Sequence, residues 1–525
     1  HLDGYDLPVS TFLDEPLFHG GFKTNVAFEE RRNIATLVPN WIKENCIQCN
    51  RCSFVCPHAT IRPFLISAEE KAKIPAGIEV ETIKAIGKGV EGYEFTIQVS
   101  QENCVGCGLC AVECPAKEKA LVMNDVKEEL AKVPESDYVY NNITYKTDFF
   151  PINQVKGSQF LRPYFENSGA CPGCGETPYY KLMSQLFGKD AMIANATGCS
   201  SIYCGSMPSN PFVIDDNGHG PAWGNSLFED DAEFGFGMRL AQNFKREHIK
   251  QIIEDNIKDV EESLKVVLNN YLACANREEE KALKDELVKE LKASSNENIK
   301  ELLDYEGYLV DKSQWMIGGD GWAYDIGYGG LDHVLANNLN VNILVLDTEV
   351  YSNTGGQSSK SSQAGSIAKF AASGKEVAKK DLAQIAMTYG HVYVAQVSMG
   401  ANQAQVIKAM NEAESYDGPS LIIAYSPCIE HGIKGGLMNH QTSQKRAVEC
   451  GYFNLFRFDP RLEEEGKNPL QVDSKPNFDL FVDFLSSETR FSQLSRINPD
   501  NMERLFNKSK ADAIKRHNRL MKLAQ

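Results

Sequence analysis

The pattern Cys46-x-x-Cys49-x-x-Cys52-x-x-x-Cys56-Pro57 is written a second time as Cys104-x-x-Cys107-x-x-Cys110-x-x-x-Cys114-Pro115. Three thiolates on one tight loop reach three irons of a cube, and the fourth, carried on the helix that follows, points at the other cube. The spacing therefore pairs Cys46, Cys49, Cys52 and Cys114 on one [4Fe–4S] cluster, and Cys104, Cys107, Cys110 and Cys56 on a second. Zinc sites use two separated cysteine pairs, not four cysteines ending in Cys-Pro. A small α+β domain holding two clusters follows.

The remaining composition narrows the class. The chain has 525 residues, enough for two or three domains, and a formal net charge of −17. That charge argues against nucleic acid or an anionic membrane as partner. No apolar run of ~18 residues is present, so no membrane span is expected. The 15 cysteines, spaced as metal ligands, fit a reducing compartment and a cytoplasmic protein. The chain opens on His1 with no basic-then-apolar leader, which we read as the carboxyl-terminal part of something longer.

A second constellation lies between Gly318 and Gln357. VNILVLD (341–347) is a nearly continuous apolar run, as expected of a parallel strand buried on both faces. Asp347 and Thr348 fall at its carboxyl end, where open α/β sheets bind ligands. Trp315-Met316-Ile317 reads as the end of another strand, and Gly318-Gly319-Asp320-Gly321 as the turn after it. Mg2+ wants near-octahedral oxygen ligands and bridges carboxylates to phosphates. Asp320, the Thr348 hydroxyl and a backbone carbonyl near Val350 could supply three of them.

Together, the GDG turn, the strand and DTEVYSNTGGQ resemble the thiamine diphosphate (TPP) motif, with Asp347-Thr348 where two asparagines are usual. That variant resembles the pyruvate:ferredoxin oxidoreductases. The resemblance implies an α/β TPP-binding domain with a parallel sheet, preceded by a small α+β ferredoxin-like domain with two [4Fe–4S] clusters. It also implies a third [4Fe–4S] cluster on Cys171, Cys174, Cys199 and Cys428. TPP would be touched by Glu176, Cys199, Gly319, Asp320, Gly321, Trp322, Thr348, Glu349, Val350, Tyr351, Ser352 and Asn353, with Asn353 facing the substrate. Glu176 reads equally well as an ordinary acid at a helix amino terminus.

The activity so implied is oxidative decarboxylation of pyruvate, with coenzyme A accepting the acetyl group and electrons leaving to ferredoxin or flavodoxin. Rival readings are the same chemistry on 2-oxoglutarate, indolepyruvate or a branched 2-oxoacid, and an electron-carrier module fused to an inactive TPP fold. A homodimer is expected. The second domain that would carry the pyrimidine-activating glutamate of such enzymes has no room here, so missing amino-terminal domains or a partner subunit are expected to supply it. Lys43, Arg51, Arg62, Lys117 and Lys119 flank the cysteine runs and could receive an acidic acceptor.

Along the chain we expect a lead-in (1–40), a ferredoxin-like domain (41–144) and a TPP/Mg-binding domain (145–525), with polar boundary sequence from about 125 to 165. YEFTIQV (93–99) alternates as a half-exposed strand would. Ser226 is placed to cap a helix, and the acids after it read as solvated. Ile249 to Tyr271 have the period of one amphipathic helix. KFAASGKEVAKKDLAQIAMTYG and NQAQVIKAMNEAESYDGP read as helices between strands HVYVAQVS and SLIIAY. Cys204, Cys274 and Cys450 read as buried inert thiols, and His431 and His440 as structural.

Overall fold

The computed structural model describes residues 3–13, 21, 23–205, 209–227 and 229–525. Residues 1, 2, 14–20 and 22 of the expected lead-in thus lie outside the described residues.

The cysteine-bearing part is built on short strands β1 (Leu37–Trp41), β2 (Ile61–Ile66), β3 (Ile83–Lys84), β4 (Glu94–Val99) and β5 (Leu121–Asp125). β1 and β5 pair antiparallel, and β2, β4 and β3 form an antiparallel three-stranded sheet inside the insert between the two cysteine runs. β4 corrects the expectation of half-exposure, since Phe95 to Val99 are all buried. One face, with Phe95, Ile97 and Val99, joins the core around Trp41 and Phe160. The alternate face is covered by the helix Val133–Asn142, where Gln98 Nε2 donates to Glu135 at 2.7 Å. The boundary sequence is thus partly helical, and Val139 and Ile143 pack on Phe64 and Ile66.

The larger part carries β6 (Ala191–Asn195), β7 (Ala222–Asn225), β8 (Ser313–Gly319), β9 (Val341–Asp347), β10 (Tyr393–Val397), β11 (Pro419–Tyr425), β12 (Phe456–Phe458) and β13 (Leu470–Val472). They form one sheet in the order β13-β12-β10-β11-β9-β8-β6-β7, parallel except for the antiparallel edge strands β12 and β13. Every residue of β9 and β11 is buried, which is why both read as unbroken apolar runs. Apolar clusters lie on both faces of this sheet. The second reaches into the cysteine-bearing part, packing Phe54, Val55 and Leu109 against Tyr179, Tyr180 and Leu182.

Three helical expectations change. The helix Asp231–Asn256 ends before Ile257 and a new one starts at Glu262, so the periodic run breaks, though Ile249, Ile253, Leu264, Val267 and Tyr271 share one core. Asp230 stands at that first helix's N-cap; Ser226 lies after β7, its hydroxyl donating to Leu227 O at 2.8 Å. Asp231 is wholly buried, not solvated, and both its carboxylate oxygens lack a partner among the described residues. Of residues 369–390 only Leu382–Met387 is α-helical, and Lys375 and Lys379 before it turn inward to Ser359, Ser362 and Asp347.

Candidate functional site

Strand register sets the site. Asp347 pairs with Tyr425, Leu346 with Gly319, and Ile317 with Asn195, so β6, β8, β9 and β11 end at one edge of the sheet. Asp320, Thr348, Cys199 and Cys428 each follow one of those ends by a few residues. Ligands of open α/β sheets gather at that edge. Gly318 and Gly319 prove to be the last residues of β8, and Gly321–Ile326 is a wide helical turn, so Asp320 sits on a strand-to-helix junction and not in a loop.

Three oxygens crowd one hydroxyl. Thr348 Oγ1 lies 2.9 Å from Asp320 Oδ1, 3.0 Å from the Val350 carbonyl oxygen and 2.8 Å from Ser352 Oγ. A hydroxyl has one hydrogen and cannot donate to all three. Oxygens around Mg2+ at ~2.05 Å stand ~2.9 Å apart along an octahedral edge. The Thr348–Asp320 and Thr348–Val350 separations match that edge, as they also match ordinary hydrogen bonds. Asp320 is 1% exposed, and burial together with the nearby Asp347 carboxylate pushes its own carboxyl up from the ordinary range. A cation would relieve that.

The glycines divide by role. A Cβ on Gly321 would stand 2.6 Å from the Tyr351 ring, and one on Gly318 2.6 Å from Trp322, so packing of the chain requires both. A Cβ on Gly319 would meet only the Leu346 carbonyl at 3.9 Å. Glycine there keeps space open in front of the site.

Among the other expected contacts, Trp322 is buried in the core, and its indole N–H has no partner among the described residues. The Glu349 carboxylate is likewise committed inward, and its backbone is left-handed at φ 60°. Tyr351 and Ser352 are half-buried and Asn353 is exposed on the following turn. Glu176 occupies the N-cap position of the helix Thr177–Phe187 but makes no capping bond. It is 5% exposed, its Oε2 has no partner among the described residues, and burial raises its carboxyl to about 7 against the pull of the Tyr203 hydroxyl.

The cysteines of the two runs fall into two groups. One small cavity is lined by Cys46, Cys49, Cys52 and Cys114, another by Cys56, Cys104, Cys107 and Cys110. Burial and then the neighbouring cysteines of its own set push the Cys52 thiol well up, and Cys110 behaves alike. Thiols so placed resist ionisation until a cationic centre replaces the proton. Cys199 lies near Cys171, Cys174 and Cys428: burial, Glu176 and then these three raise its thiol. Cys204 and Cys450 are buried, whereas Cys274 is partly exposed, which corrects the expectation for it. Arg62 is no docking residue, being 6% exposed and paired with Glu166.

Sequence reasoning missed the support beneath the site. Ser359 Oγ donates to Asp320 Oδ2 at 2.5 Å, and Ser361 Oγ to Asp347 Oδ1 at 2.6 Å. Lys379 bridges Asp347 (2.5 Å) and Glu349 (3.0 Å), and Arg490 bridges Glu349 (3.0 Å) and Glu488 (2.8 Å). His431 Nε2 meets the Thr348 carbonyl at 2.7 Å, and burial lowers its basicity to about 3, so it is neutral and donates. The signal was the absence of helical period in the Ser- and Lys-rich stretch 358–380.

Fold and site thus define a TPP-type α/β domain joined to a two-cluster iron–sulfur module. Residues 307–424 match the family "Thiamine pyrophosphate enzyme, C-terminal TPP binding domain", and 45–118 match "4Fe-4S dicluster domain". Over its whole length the chain is related to part of the pyruvate:ferredoxin and pyruvate-flavodoxin oxidoreductases. It is 50% identical to pyruvate:ferredoxin oxidoreductase of Moorella thermoacetica over 100% of this chain and 45% of that protein. To pyruvate-flavodoxin oxidoreductase of Klebsiella pneumoniae it is 46% identical, over 99% of this chain and 44% of that one. The mitochondrial pyruvate dehydrogenase [NADP(+)] of Euglena gracilis is 45% identical, with 29% of its length covered. The chain spans less than half the length of these relatives. A solved 2-oxoglutarate:ferredoxin oxidoreductase from Magnetococcus marinus aligns at 16% identity and TM-score 0.32 over 50% of this chain and 65% of that one, too low to bear on the reading.

Proposed function

We propose that this chain is the TPP- and cluster-bearing part of an enzyme that oxidatively decarboxylates pyruvate to acetyl-CoA and CO2 and passes the electrons through three [4Fe–4S] clusters to ferredoxin or flavodoxin. The observation that carries it is the oxygen set on Asp320, Thr348 and the Val350 carbonyl, spaced for Mg2+, at the sheet edge that also gathers Cys199 and Cys428. The names of the relatives point to pyruvate and to ferredoxin or flavodoxin.

TPP, when bound, supplies the electron sink for the carbon that loses CO2. The chain's residues hold and orient it. Asp320 and Thr348 would hold its diphosphate with Mg2+, Gly319 would leave it room, and Glu176 and Cys199 would be the side chains that touch it. Asn353, on the exposed turn, faces the substrate. We assign a third cluster to Cys171, Cys174, Cys199 and Cys428; the contacts of Ser352 with both Thr348 Oγ1 and the Cys428 thiol support its lying beside the site. Of the two paired cavities, the one holding Cys46, Cys49 and Cys52 lies nearer solvent, with Ile47 57% exposed beside it, and serves as the exit. Lys43, Arg51, Lys117 and Lys119 flank it.

We divide the chain into the lead-in 1–40, the ferredoxin-like domain 41–144 and the TPP/Mg domain 145–525. We place the enzyme in the cytoplasm as a homodimer, and we assign the pyrimidine-binding half to domains or a subunit that complete the longer relatives. No helix among the described residues is long and apolar enough to cross a membrane. The test is anaerobic reduction of a viologen dye by the assembled protein with coenzyme A and a panel of 2-oxoacids. Pyruvate should be the preferred substrate; activity with 2-oxoglutarate, indolepyruvate or branched 2-oxoacids but none with pyruvate would reject the reading.

A further inference from the structure

Lys181 lies on the helix Thr177–Phe187 of the TPP domain, and its side chain crosses into the cysteine-bearing module. Its ammonium donates to the Ser53 carbonyl and, at 3.1 Å, to the Phe54 carbonyl. Lys181 is 1% exposed, and among the described residues no carboxylate pairs with it. Around it are Phe54 and Val55 on one side and Tyr179, Leu182 and Met183 on the other. Buried charges are normally paired, because an ion taken out of water needs a counter-charge nearby. Two carbonyl dipoles are a partial substitute.

The missing counter-charge is indicated by where those carbonyls sit. Ser53 and Phe54 lie between Cys52, which lines one cluster cavity, and Cys56, which lines the other. Cys56 and, less strongly, Cys52 favour the charged form of Lys181, while burial first and then the Arg62 guanidinium oppose it. A [4Fe–4S] cube held by four thiolates is anionic, and its potential responds to local charge.

We propose that Lys181 is the internal counter-charge of the two clusters and raises their reduction potentials, above all that of the cluster on Cys56, Cys104, Cys107 and Cys110. The inference rests on the iron–sulfur reading of the two cysteine runs. The step it governs is the uptake of one electron by a cube; no bond forms or breaks, no proton moves, and the centre gains one unit of negative charge. A fixed cation stabilises the reduced level more than the oxidised one. Lys181 is a positioning charge and touches no reacting atom.

The experiment is an EPR-monitored titration with dithionite of the full chain carrying its clusters, alongside Lys181→Met, Lys181→Gln and Lys181→Arg. Iron content and EPR signal amplitude report separately whether both clusters are present. With both present, the neutral variants should lower the reduced-to-oxidised equilibrium of the Cys56 cluster at least tenfold, ~59 mV for one electron. The other cluster should shift less, and Arg should stay near the parent. Unchanged potentials in Met and Gln variants with full iron would overturn the proposal. If both neutral variants lose iron while Arg keeps it, the charge is needed to hold the clusters at all, which supports the proposal. Loss of iron in Arg as well would make Lys181 a packing residue and overturn it. Low iron in the parent itself would reject the iron–sulfur reading instead.

Discussion

The Thr348 hydroxyl lies 2.9 Å from Asp320 Oδ1, although 28 residues separate the two along the chain. The contact exists because β8 and β9 are adjacent and parallel, with their carboxyl ends in register. Replacing Thr348 by Val keeps the shape and removes one oxygen from the set. We predict that Thr348→Val weakens Mg2+-dependent TPP binding by at least ~10- to 100-fold, while Thr348→Ser stays close to the parent. Calorimetric titration of TPP at fixed Mg2+ checks this, and equal affinities in Val and Ser variants would contradict it.

The two glycines flanking Asp320 should behave oppositely. Gly321→Ala drives a methyl to 2.6 Å from the Tyr351 ring and should cost ~1–3 kcal/mol of stability, read as a lowered Tm. Gly319→Ala has room in the chain alone, so its Tm should hold while its TPP affinity falls. A destabilised Gly319→Ala with normal TPP affinity would show that the open space is not the ligand's.

Arg490 ties the carboxyl-terminal segment to the metal loop through Glu349, with the Tyr452 hydroxyl on the same carboxylate. Arg490→Met leaves Glu349 and Glu488 buried with fewer counter-charges, and removal of one partner of a buried pair costs ~3–5 kcal/mol. Denaturant unfolding of the variant should show that loss. A change under ~1 kcal/mol would mean that Lys379 alone balances the loop.

How much of this was legible follows from what is local. Asp320 and Thr348 each end an apolar strand, and a buried strand followed by a polar residue is visible in a short window. The cysteine pairing was legible because its spacing encodes the geometry of a cube. Ser359, Ser361, Lys379 and Arg490 were not, since they reach the site from loops and a distant helix, where nothing in the local pattern marks an inward side chain. Likewise the burial of β4 depends on the helix Val133–Asn142, which lies beyond the strand's own pattern.

His440 offers a pH test at the loop that carries Cys171 and Cys174. It is wholly buried, Nδ1 meets the Gly173 carbonyl at 2.8 Å, and burial lowers its basicity from 6.5 to about 4. Between those values the unfolded chain binds the proton and the folded one does not, so stability falls as pH drops from 6.5 toward 4. The loss approaches ~3 kcal/mol for one fully buried group. His440→Gln should flatten Tm against pH in that window, and an unaltered slope would remove His440 as its cause.

The most direct test of the central claim is cofactor analysis of the anaerobically purified, assembled protein beside its Asp320→Ala variant. For the parent the account predicts iron near ~12 per chain, with Mg2+ and TPP bound together. In the variant, Mg2+ and TPP should be lost while the iron of the two clusters on the paired cysteine runs is kept, because those cysteines line other cavities. Iron near eight in the parent would remove the third cluster, and a variant that kept its Mg2+ and TPP would contradict the site itself.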